Sequence, residues 1–144
     1  TGRLFYQKPD RLRWEITHPT HFGFSINGER ALLWKGEHTP AEVFQIEERP
    51  AINRFAQQLF AWIQADFSRI GNLYRIEVRT GKPVSVVLNP LAEAEKNMIA
   101  RILIFFSLDS RHVETVEIRE HDGDFTRIRF YNTRINVPLK KERF

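Results

Sequence analysis

From residue 11 to residue 17 the chain runs Arg-Leu-Arg-Trp-Glu-Ile-Thr, an unbroken alternation of polar and large apolar side chains. Successive side chains of a strand point to opposite faces, so this period of two predicts a strand with one wet and one dry face. The same period returns along most of the sequence. Residues 2–7 and 11–17 read as a first pair of strands around the Pro9-Asp10 turn. Residues 21–26 and 29–35 follow, joined at Asn27-Gly28, two residues that tolerate the positive φ a tight hairpin needs. Residues 41–46 make a fifth strand. The chemistry of such a chain belongs to a wall of side chains, not to a point.

The period then changes. Between residues 50 and 67, Ile52, Phe55, Ala56, Leu59, Ile63 and Phe67 fall at spacings of three and four, and Pro50 suits a first helical turn, which predicts an amphipathic helix. Phe60 and Trp62 widen its apolar face. After Gly71 the strands resume over residues 73–79, 84–88, 98–108, 113–120 and 125–132, with 121–124 as a hairpin turn and a short last strand over 135–139. Residues 102–106, Ile-Leu-Ile-Phe-Phe, are apolar on both faces, as a doubly covered central strand would be.

With 144 residues the chain has the commonest size of a single domain and can bury a continuous interior. One helix cannot cover both faces of a flat sheet of ten strands, so the sheet is expected to curl, with the helix packed across its concave face. The fold class expected is mainly β: an antiparallel, unclosed half-barrel. If the large alternate residues all point inward, its interior receives Leu4, Tyr6, Leu12, Trp14, Ile16 and Phe24 from the strands and Phe55, Leu59 and Ile63 from the helix. Ordinary core packing explains the same residues.

The net charge of +4 invites a nucleic-acid reading, yet 18 acidic residues are interleaved with the 22 basic ones. Arg11, Arg13 and Glu15 share a strand face, as do Glu117 and Arg119, the mixture a solvated sheet surface requires. No nucleic-acid partner is expected. Lys140, Lys141 and Arg143 cluster near the C-terminus and favour an anionic membrane surface instead. The absence of cysteine removes disulfides, thiolate ligands and thiol nucleophiles. No apolar run approaches the eighteen or so residues of a membrane-spanning helix.

Polar groups that could converge on a reaction are few. His18 and His21, on an extended segment beside Pro19, point to opposite faces and lack a third ligand. Asp122 and Asp124 fit turn chemistry, and Glu47 and Glu48 adjoin a helix start, where negative charge is favoured. There is no nucleophile elbow, no phosphate-binding loop and no glycine-rich fingerprint. Neither catalytic residues nor a metal or other cofactor are expected.

The run Gly2-Arg3-Leu4-Phe5-Tyr6-Gln7-Lys8-Pro9-Asp10-Arg11-Leu12-Arg13-Trp14-Glu15, then His18-Pro19, then Asn27-Gly28-Glu29 leading to Leu32-Leu33-Trp34, resembles the LolA-type periplasmic carriers of outer-membrane lipoproteins. There a strand of the form G-x-L-x-x-x-[KR]-P runs into an [FL]-x-W strand, and a D-G or N-G hairpin precedes an aromatic strand. Beyond the helix, Leu88-Asn89-Pro90 and Gly123-Asp124-x-Thr126 resemble a divergent branch of that family. The resemblance implies an unclosed barrel with a helical lid over an apolar cavity for acyl chains. It also implies that the family's N-terminal helix and first strand are missing from these residues. Lys8 matches the basic position that hydrogen-bonds the lid in the family, and a lysine offers it a point charge in place of arginine's planar fork.

The function so implied is a monomeric, non-enzymatic periplasmic carrier. It takes acyl chains of lipoproteins or related lipids from an inner-membrane export complex to an outer-membrane receptor. An envelope sensor or scaffold using the same cavity for a lipid or a protein segment is the alternative, and a small lipid hydrolase is the third. Burying a methylene is worth about 0.8 kcal/mol, so a sixteen-carbon chain gains on the order of 12 kcal/mol in a dry pocket. Release is possible if the empty pocket is filled by the lid, so that the ligand displaces protein contacts of comparable size.

Overall fold

The computed structural model describes residues 1–36 and 38–144. The chain divides into two compact units, Thr1–Ala56 with Asn136–Phe144, and Gln57–Ile135. In the first unit five antiparallel strands lie in sequential order: β1 (Gly2–Gln7), β2 (Arg11–Ile16), β3 (Phe22–Asn27), β4 (Arg30–Lys35) and β5 (Glu42–Gln45). The second unit holds β6 (Tyr74–Arg79), β7 (Ser85–Pro90), β8 (Ile99–Phe106), β9 (Val113–Glu120) and β10 (Phe125–Arg129), again as a sequential antiparallel sheet. Ten of the eleven expected strands thus form and fall into two sheets of five, and β5 and β6 are not hydrogen-bonded neighbours. Between them the chain forms helix α1 (Pro50–Gln64) and two 3₁₀ turns, Ile46–Glu48 and Phe67–Ile70, which interrupt the meander.

Local chemistry accounts for the element ends. The β3–β4 loop is Gly28–Glu29, one residue later than Asn27-Gly28, because Asn27 pairs with Arg30 and only Gly28 takes positive φ, at 65°. The helix stops before Phe67. Ala65 adopts φ 53°, its N–H donates to Trp62 O at 3.2 Å, and the Asp66 N–H donates to Ala61 O at 3.0 Å, a Schellman closure. The strand expected over residues 135–139 does not form. Asn136 sits at φ 58° and Pro138 has no N–H to donate, so neither suits a ladder. A four-residue helix α2 (Glu93–Lys96), with Glu93 and Glu95 in its first turn, fills a stretch that the strand pattern passes over.

In the second unit the dry face is aliphatic. Residues that pair across strands share a face. The rows Ile118–Ile102–Leu88–Ile76 and Val116–Ile104–Val86–Val78 therefore lie side by side. Leu88, Ile102 and Ile104 are wholly buried, and Val86 and Val116 nearly so. Tyr74 belongs to the same face. Burial and the neighbouring Glu95 carboxylate, against a hydrogen bond with Gln58 that works the other way, push its phenol up to about 12, so it is neutral throughout the physiological range.

Candidate apolar binding wall

The alternation along β1–β5 places most of the large apolar residues of the first sheet on one face. Cross-strand pairing builds three rows. Leu4, Trp14, Phe24 and Leu33 form the middle row; Tyr6, Leu12, Ile26, Ala31 and Phe44 form the second; Ile16 and Phe22 begin the third. The second row is sealed: Leu12, Ile26 and Ala31 are at most 2% exposed. The middle row is only partly covered, with Leu4, Trp14 and Leu33 half-buried.

The first turns of α1 lie on this middle row. The Phe55 ring stacks on Trp14, with centroids 6.2 Å apart and planes 18° from parallel, and meets Phe24 edge-on at 6.1 Å. Trp14 and Phe24, paired across β2 and β3, stand 6.2 Å apart. Three aromatic rings from two strands and one helix therefore close on each other. Phe55 nonetheless remains 40% exposed. A core residue of that size would ordinarily be sealed, so this cluster combines tight ring geometry with open apolar surface.

The wall offers surface and little chemistry. Its charged residues at paired positions are Lys35 on β4 and Glu42 on the edge strand β5, and Glu42 forms an ion pair with Arg49. The Arg49 guanidinium also stands 4.4 Å over the Phe44 ring, closing that end of the second row. The arrangement can bind, orient and dehydrate an apolar chain; it presents no paired nucleophile and base.

The opposite face of the same sheet is layered differently. Trp34 lies over Gly23, where any Cβ would stand 2.3 Å from the indole, so β3 must carry glycine there. The Arg13 guanidinium covers the Trp34 ring at 4.6 Å and pairs with Glu15 at 2.5 Å. Arg143 covers Phe5 at 4.5 Å. Aromatic surface on this side is capped by guanidinium groups, whereas on the wall the Trp14–Phe24–Phe55 cluster carries no such cap.

Of the residues expected to line the cavity, Leu4, Tyr6, Leu12, Trp14, Ile16 and Phe24 share the wall, and Phe55 joins them. Leu59 and Ile63 belong to the second unit, where Leu59 is 3% exposed and Ile63 half-buried. Lys8 is exposed in the β1–β2 turn and makes no hydrogen bond or ion pair among the described residues. Leu33, Ile26, Ala31 and Phe44 also belong to the wall and were not expected there. The hairpin after Asn27 carried the signal, because pairing Asn27 with Arg30 puts Phe24 opposite Leu33 and Ile26 opposite Ala31.

Among the described residues no helix is long and apolar enough to cross a membrane. The family model described as outer membrane lipoprotein carrier protein LolA matches residues 1–144, the whole chain. No curated protein matches it closely enough to name as a relative.

Proposed function

The chain belongs to the LolA family of outer-membrane lipoprotein carriers, and from that premise we propose that it shields acyl chains from water on the aromatic wall of its first sheet. The observation that carries this reading is Phe55: its ring is stacked into the Trp14–Phe24 pair and still 40% exposed. An acyl chain lying along the middle row would cover that open surface and gain about 0.8 kcal/mol for each methylene it dehydrates. Leu59 and Ile63 follow Phe55 at four-residue steps along α1, whose first turns are the lid of this proposal.

In this reading the wall, the lid and the ligand exchange like for like. Rings that pack on one another when no ligand is present are traded for contacts with the ligand, so net affinity stays below the gross gain and the cargo can be surrendered. Lys8, at the family's latch position, makes no bond to α1 among the described residues, so in this reading the stacking of Phe55 on Trp14 holds the lid of the empty carrier closed. The protein acts in the periplasm, without a cofactor and without catalysis, as a monomer. It receives a lipoprotein or related lipid from an inner-membrane export complex and passes it to an outer-membrane receptor.

Native mass spectrometry with a diacylated peptide tests the proposal. The protein should retain one acylated peptide, and Phe55→Glu, which places a charge at a partly exposed site, should abolish retention with the fold intact by circular dichroism. Undiminished retention by Phe55→Glu would remove the wall from the site.

A further inference from the structure

The other face of the second sheet carries a charge pattern that acyl-chain binding does not use. At its paired strand positions stand Arg75 and Arg79 on β6, Arg101 on β8, Arg119 on β9, and Arg127 and Arg129 on β10. The acids there are Glu77 and Glu117, and the central-strand residues of this face, Ser85, Val87 and Leu103, are buried, so the exposed arginines surround a covered centre. No lysine occupies this face, although the chain has lysines at 8, 35, 82, 96, 140 and 141.

The two acids are already engaged. Glu117, 4% exposed, accepts from Arg119 Nε at 2.5 Å and from Arg127 Nε and Nη2 at 2.9 and 2.8 Å. Those guanidiniums hold its carboxyl below the usual carboxylate range. Glu77 lies 3.9 Å from Arg79 and accepts from Asn89 at 3.5 Å. Arg75, Arg101 and Arg129 are exposed and have no acidic partner among the described residues.

A solvated sheet needs charge, but it needs both signs interspersed. Here the excess is of one sign, and Arg101 is in register directly opposite Arg119. Like charges directly opposite each other across a strand pair destabilise a sheet. Threonine or glutamate at residue 101 would serve the fold better, so the pair points to a ligand that supplies the missing negative charge. Guanidinium groups match phosphate through their planar fork of donors. Beside them Phe125 is 55% exposed on the edge strand, with the Arg127 guanidinium 5.0 Å over its ring. Exposed aromatic surface flanked by cations suits the boundary between headgroups and acyl chains better than it suits a soluble polyanion.

We propose that the arginine face of β6–β10 docks the protein on a bilayer surface rich in anionic phospholipid. This surface is distinct from the apolar wall and does not depend on the wall's ligand.

Sedimentation with phosphatidylglycerol-containing vesicles, against vesicles of phosphatidylcholine alone and without acylated peptide, tests it. The wild-type chain should bind the anionic vesicles selectively, and less as salt is raised. The triple variant Arg75→Gln/Arg101→Gln/Arg129→Gln breaks no ion pair, and its binding should fall on the order of a hundredfold, about fivefold for each cation removed from the surface. The control Arg3→Gln/Arg11→Gln/Arg30→Gln, on the first sheet, should keep most of the binding. Equal binding to neutral vesicles, an unaffected second-sheet variant, or an equal loss in the control would each overturn the proposal. Loss of vesicle binding with acylated-peptide retention intact separates this surface from the carrier function.

Discussion

The two sheets have the same strand number and the same sequential antiparallel order, yet they treat apolar surface in opposite ways. The dry face of the second is built from Val, Leu and Ile and sealed at its centre by Leu88, Ile102 and Ile104, with Val78 on the edge strand left exposed. That of the first is built around Trp14, Phe24 and Phe55 and left partly open. Branched aliphatic side chains interlock in a pleated surface and exclude everything else, whereas flat rings can slide apart and accept another apolar body without leaving a void. Stability is concentrated in one sheet and adaptability in the other.

That contrast can be broken by mutation. Ile104→Ala in the second sheet should cost about 3–4 kcal/mol in urea denaturation, because a fully buried aliphatic group is removed and its surroundings cannot collapse. Glu117→Gln comes next, at about 1.5–3 kcal/mol, the range for hydrogen bonds to charged groups. Its pH dependence has a definite sign. The folded-state pKa of Glu117 lies below the ordinary value of 4.5, so its stabilisation is complete above that pH and disappears as pH falls through the depressed folded value. The stability gap between wild type and Glu117→Gln should therefore be widest at neutral pH and close in acid; a gap independent of pH would contradict the arginine-held carboxylate.

In the first sheet the same kind of truncation should matter less to folding and more to binding. Trp14→Ala, at a half-buried position, should cost about 1–2 kcal/mol, well short of the figure for a sealed aromatic. Phe55→Glu should shift stability by less than about 1 kcal/mol and still abolish retention of an acylated peptide, which native mass spectrometry reads directly. Lys8→Ala should leave stability within about 0.5 kcal/mol and leave retention of acylated peptide unchanged, because Lys8 has no partner among the described residues. If Trp14→Ala proved as costly as Ile104→Ala, the first sheet would be an ordinary core and the contrast would vanish.

Most of this architecture could be read from the chain. β1 and β9 begin and end where period two and flanking turn residues place them, and the hairpin at 121–124 forms with Gly123 at φ 100°. What escaped depends on conformations that pattern does not encode. Ala65 in the left-handed region ends α1 early, and Asn136 in the same region forbids the last strand. The division into two sheets escaped because period two specifies faces and not which strands pair. On the wall, Leu4 to Phe24 were legible as large alternating residues. Leu33 and Phe44 required the register, which only the pairing of Asn27 with Arg30 and Ala31 with Phe44 supplies. The arginine face was visible in sequence only at Glu117 and Arg119, since its other members come from strands far apart in the chain.

The central claim is that an acyl chain lies against the bare aromatic row of the first sheet. Fluorescence of the Trp34→Phe/Trp62→Phe variant, in which Trp14 is the remaining tryptophan, should be quenched on addition of an acylated peptide whose chain carries bromine. Saturable quenching that disappears with Phe55→Glu is the predicted result. Binding of the brominated peptide, followed by native mass spectrometry, with Trp14 emission unchanged would place the ligand elsewhere and contradict the account.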